Sequence, residues 1–126
     1  MEPAAIDHLV LTVRDLDASV DFYTRVLGMR EIVFGEGHRA LAFGRQKLNL
    51  HPAAAPFAPH AGRPVPGAVD LCLLMATPLP DVVAELAVHG VPVEAGPVER
   101  TGAQGRLLSV YVRDPDGNLI ELSNPH

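Results

Sequence analysis

The chain carries one pattern twice, and that duplication constrains the fold more than any other feature. Ile6-Asp7-His8-Leu9-Val10-Leu11-Thr12-Val13 is a strand-like run, and Ala68-Val69-Asp70-Leu71-Cys72-Leu73-Leu74-Met75 repeats it with Asp70 where His8 stood. At the same offset Leu27-Gly28-Met29 falls on His89-Gly90-Val91, in each copy the end of a helix turning into a strand. The copies close on Leu48-Asn49-Leu50-His51 and Asn118-Leu119-Ile120-Glu121. His8, His51, Asp70 and Glu121 are thereby set out as four nitrogen or oxygen donors at matching ends of repeated units.

The first copy reads as βαβββ. In 6–13, His8, Val10 and Thr12 share one face and Leu9, Leu11 and Val13 the other, so the mixed face is expected to line a cavity. Asp15 is placed to cap a helix over 16–27 whose apolar stripe is Leu16, Val20, Tyr23 and Leu27, with Gly28 ending it. Strands are expected near 29–35, 38–43 and 46–51, separated by glycine turns. Residues 52–67 hold five prolines and read as an irregular connector. The second copy gives a strand over 68–76 and a helix from Thr77 as N-cap, with Pro78 at its first position, to His89. Strands near 91–97, 106–113 and 118–123 follow, with a longer loop expected around 99–105 and a turn at Asp114-Pro115-Asp116-Gly117. The expected class is α+β: two βαβββ modules, 5–51 and 68–123, forming one domain over 1–126.

Composition narrows the function by exclusion. A formal charge of −5 without a basic cluster argues against a nucleic-acid partner. The single cysteine, Cys72, leaves no intrachain disulfide and suits a reducing compartment; with no basic, apolar leader at the start and no membrane-length apolar run, a cytoplasmic, membrane-free protein is expected. No nucleophile motif and no phosphate-cradling glycine loop is present.

The Ile6-Asp7-His8 strand, the segment from Phe22 to Gly28 and the closing Asp114-Pro115-Asp116-Gly117-Asn118-Leu119-Ile120-Glu121 resemble the vicinal oxygen chelate superfamily, which includes glyoxalase I, extradiol dioxygenases and bleomycin-resistance proteins. The resemblance runs from Ile6 to Ser123. Gly96-Pro97-Val98-Glu99-Arg100-Thr101-Gly102 further resembles the glyoxalase domain-containing subgroup. The resemblance implies a curved, roughly eight-stranded mixed sheet with a metal-binding cavity, and a divalent metal held there by His8, His51, Asp70 and Glu121. Asp70 departs from the family's usual His or Gln, and is either a ligand or the hydrogen-bond partner of a ligating imidazole. It also implies a homodimer whose site is shared between chains.

Imidazole and carboxylate donors without thiolate suit Zn, Fe, Mn, Ni or Co alike. The expected activity is that of a lyase, isomerase or ring-cleaving dioxygenase on a small molecule with adjacent oxygens, Glu121 doubling as the catalytic proton carrier. The alternative is a non-catalytic drug- or metabolite-binding protein of the bleomycin-resistance kind. Phe34, Arg39, Phe43, Arg100 and Tyr111 are candidate pocket residues, while His38, His60, His89 and His126 read as solvated.

Overall fold

The computed structural model of the protein describes all 126 residues, Met1–His126, and divides into two compact units, Met1–Gly67 and Ala68–His126. The alternation in the first run separates two environments: Leu11 and Val13 are fully buried, whereas Val10 is 40% exposed. That run is β1 (His8–Val13). Asp15 caps the following helix as expected, its Oδ1 accepting from the Ala18 amide at 3.1 Å. The helix is not uniform: α1 (Leu16–Asp21) continues as a π-helical stretch, Phe22–Val26. At the junction the Thr24 hydroxyl donates to the Val20 carbonyl at 2.7 Å, engaging the acceptor a regular α-turn would use for the Thr24 amide. Gly28 then takes a φ of 70° and turns the chain into β2 (Arg30–Phe34). β3 (His38–Phe43) and β4 (Gln46–Pro52) complete the unit.

The strand order is β1-β4-β3-β2, with β1 parallel to β4 and the other pairs antiparallel. Leu11, Val13, Leu41, Leu48 and Leu50 form the buried side of this sheet, with Val20 and Tyr23 of the helical segment in the same unit's core. No residue of 53–67 joins a helix or strand.

The second unit repeats the design: β5 (Asp70–Leu74), α2 (Leu79–Val88), β6 (Ala95–Gly102), β7 (Gly105–Arg113) and β8 (Leu119–Pro125), in the order β5-β8-β7-β6. The eight expected strands are therefore present as two four-stranded mixed sheets of identical topology rather than as one sheet. Two local expectations fail. Pro78, not Thr77, is the N-cap of α2 and offers no side-chain hydrogen bond. Asn124 at the end of β8 does that work: its Oδ1 accepts from the Leu79 amide at 2.6 Å, and its Nδ2 donates to the Met75 and Thr77 carbonyls. The loop expected at 99–105 is instead strand. Val98 to Gly102 pairs with Gly105 to Ser109, and only Ala103 and Gln104 turn between them. Gly105, at φ 141°, supplies the backbone freedom that so tight a turn requires, and an Arg106–Glu99 ion pair at 2.8 Å bridges the ribbon.

Candidate functional site

Strand alternation decides which side chains meet, and each sheet has one face that its helix does not fill. In the first unit that face carries His8, Val10 and Thr12 from β1 and, directly opposite them, Lys47, Asn49 and His51 from β4. His38 and Phe34 lie on the same face of β3 and β2. In the second unit it carries Asp70, Cys72 and Leu74 from β5, opposite Leu119, Glu121 and Ser123 from β8, with Tyr111 across from Glu121. All four sequence-selected donors thus occupy the chemically mixed face of their own sheet. Within neither unit do three His, Cys, Asp or Glu side chains cluster as a cation-binding group; each supplies a pair.

His8 is exposed, and its Nδ1 lies 2.7 Å from an Asp7 carboxylate oxygen. A carboxylate on one ring nitrogen fixes the tautomer and turns the other nitrogen outward as an electron-pair donor. His51 is the reverse case. It is 9% exposed, its Nδ1 is buried without a hydrogen-bond partner, and burial, reinforced by His38 and His60, pulls its pKa below the ordinary histidine value. It is therefore the neutral base at pH 7.

Phe57, from the proline-rich connector, meets His51 edge-on at 5.1 Å and lies against His38 at 4.1 Å. Phe34 continues the row on His38 at 5.5 Å, with the Lys47 ammonium 3.7 Å from the Phe34 ring centroid. His38, set aside in the sequence as solvated, belongs to this row, and the pairing of Phe34 with His38 across the Gly35-Glu36-Gly37 turn is the signal that could have found it.

In the second unit Glu121 is half-buried between Ile120 and Leu122, both fully buried on the other face. Its Oε1 accepts a long 3.4 Å hydrogen bond from the Ser123 hydroxyl, and the carboxylate also meets the Cys72 thiol, a weak donor. Ser123 in turn lies 2.7 Å from the Ser109 hydroxyl and 3.3 Å from the Cys72 sulfur. Desolvation pushes the Cys72 thiol above its ordinary pKa although the residue is solvent-accessible; the Glu121 and Asp70 carboxylates add to the rise and the Ser123 hydrogen bond opposes it. A protonated thiol is a poor nucleophile and a poor ligand. Arg100 donates to the Tyr111 hydroxyl at 2.9 Å, which brings a cation to this face. Arg39, in contrast, pairs with Asp17 and Glu31. An apolar groove of about 330 Å³, lined by Leu79, Pro80, Val83, Pro97 and Leu108, lies beside α2 and offers no polar side chain for chemistry.

The register qualifies one assumption behind the donor set. His8 stands opposite Lys47 as Asp70 stands opposite Leu119, so Asn49 occupies the rung of Glu121, and His51 that of Ser123. Counting from the ends of the sequence repeats had matched His51 to Glu121, because the closing tetrapeptides look alike while their strands pair two residues apart.

Comparison with known proteins agrees with this architecture. The chain is 52% identical over 118 residues to "Virulence protein STM3117" of Salmonella typhimurium, covering 94% of this chain and 82% of that protein. The crystal structure of that Salmonella protein superposes with a TM-score of 0.98 over all of both chains, at 50% identity. The "Glyoxalase domain-containing protein RDO1" of Mycosarcoma maydis is 52% identical over 120 residues, covering 95% of this chain and 68% of that protein. A lactoylglutathione lyase from Agrobacterium tumefaciens has a TM-score of 0.74 at 27% identity, over 98% of this chain and 95% of that one. TnmS3, an antibiotic-binding protein from Streptomyces sp. CB03234, shares the fold with a TM-score of 0.77 at 23% identity, over 100% of this chain and 99% of that one. The family model described as Glyoxalase/Bleomycin resistance protein/Dioxygenase superfamily matches residues 5–122, and the chain belongs to that superfamily.

Proposed function

We propose that the protein is a divalent-metal-dependent enzyme acting on a small molecule with two adjacent oxygens, in a lyase, isomerase or dioxygenase type of reaction. One observation carries the reading. The half-buried Glu121 carboxylate is held by a 3.4 Å hydroxyl contact and a weak thiol donor, with no cationic side chain paired to it, and a carboxylate so weakly partnered in an aliphatic strand calls for a cation. The donor chemistry fits: a carboxylate-oriented imidazole at His8, a neutral imidazole at His51, and carboxylates at Asp70 and Glu121. A divalent ion there supplies Lewis-acid polarisation of the substrate oxygens. The protein's own part is positional and protolytic. Asp7 holds the His8 ring in one orientation, Ser123 holds one Glu121 oxygen and leaves the other to carry a proton, and Arg100 on its Tyr111 tether attracts an electron-rich substrate.

Each unit offers two of the four donors, so we infer that two chains pair as a homodimer, in the cytoplasm, and complete the site between them. The 27% identity to an Agrobacterium lactoylglutathione lyase is in line with the enzymatic reading. His8→Ala and Glu121→Ala, purified without chelator or affinity-tag nickel, are expected to lose bound metal while keeping their circular dichroism. Variants that hold as much metal as wild type would leave the protein as a ligand-binding module.

A further inference from the structure

Resting on that metal-dependent reading and revising its donor set at one position, we propose that Asn49 takes the place of His51 as the first unit's second donor to the cation. The two sheets have the same strand order and the same parallel pairing of their first and last strands, so equivalent rungs are defined without choice. In the second unit Asp70 and Glu121 form a diagonal: Glu121 stands opposite Cys72, two residues along β5 from Asp70. In the first unit the same diagonal from His8 ends on Asn49, opposite Val10. His51 is opposite Thr12, one further step along the same face.

Distance separates the two candidates. A strand rises about 3.3 Å per residue, so the Asn49 rung lies about 7 Å along the sheet from His8 and the His51 rung about 13 Å. With ligand bonds of about 2 Å, the nearer pair converges on one ion easily and the farther pair only with both imidazoles stretched towards each other.

The Asn49 Oδ1 is buried and accepts no hydrogen bond, and a buried carbonyl oxygen without a partner requires one; the His51 Nδ1 is buried without a partner too, so the rung is what separates the two. An amide oxygen is a hard, neutral donor suited to a divalent cation. His51 sits in the aromatic row, edge-on to the Phe57 ring that also lies against His38, a place suited to contact with an organic ligand.

Zinc titration of the full-length protein, followed by calorimetry, tests the assignment. Asn49→Ala is expected to weaken zinc binding by the order of ten- to a hundredfold, as loss of a supporting contact at a metal site does. Asn49→Asp, which keeps an oxygen at the same place, is expected to retain it, and His51→Ala to weaken it less than Asn49→Ala does. Labelled-histidine NMR of the unmodified protein gives a second readout that needs no variant: zinc should move the His8 ring nitrogens and leave those of His51 in place. Wild-type affinity in Asn49→Ala, or loss of binding in His51→Ala, overturns the assignment alone. A wild-type protein that takes up no zinc, manganese, nickel, cobalt or ferrous ion overturns the metal-dependent reading itself.

Discussion

Asn124 stands near the end of the chain, where a sequence reader has little reason to look, yet it joins three backbone groups at the start of α2. The local sequence invites a conventional cap at Thr77, but Pro78 fixes the entry so that the first free amide, Leu79, must find its acceptor elsewhere. Asn124→Ala should therefore destabilise the fold by about 1–3 kcal/mol, the cost of stranding part-buried backbone groups, read as a lower urea midpoint with unchanged slope. His8, Asp70 and Glu121 stand out in the sequence as candidate donors because each interrupts an aliphatic run, and a polar residue in such a run needs a reason. Asn49, the donor proposed above, does not stand out. An amide in Leu48-Asn49-Leu50-His51 draws less attention than the histidine beside it, and only the pairing of β1 with β4 reveals which rung it occupies.

At the level of elements, periodicity identified all eight strands and both helices, and the errors lie where tertiary pairing overrides it. β6, expected near 91–97, runs from Ala95 to Gly102. Gly96 and Pro97 form an irregularity inside the strand, where the register with β7 shifts between Ala95 and Val98. Gly96 has φ +98°, and a side chain there would run into the Ser109 carbonyl and the backbone of Val110. Gly96→Ala is expected to cost about 1–3 kcal/mol by denaturant unfolding, since a backbone neighbour cannot step aside. Gly102→Ala, which meets chiefly the flexible Leu107 side chain, should cost less. The connector was legible as irregular from its prolines, but no sequence rule announces that Phe57 would lie on His38 and His51. That contact makes 52–67 part of the candidate site.

For the molecule as a whole, the duplication indicated the architecture, and the proposed dimer rests on the division of the candidate donors between the two units. Val10 and Leu74 are 40% and 64% exposed, each on the same face and strand as a candidate donor, His8 or Asp70, and apolar residues so placed favour cover by another chain. Light scattering should return the mass of a dimer, and a monomer at all concentrations would refute the shared site. No helix is long and apolar enough to cross a membrane. The most direct test of the central claim is elemental analysis of untagged wild-type protein isolated without chelator. About one divalent ion per chain, removable by chelation and restored by titration, is the predicted result. A protein that arrives empty and takes up no divalent ion when offered one would contradict it.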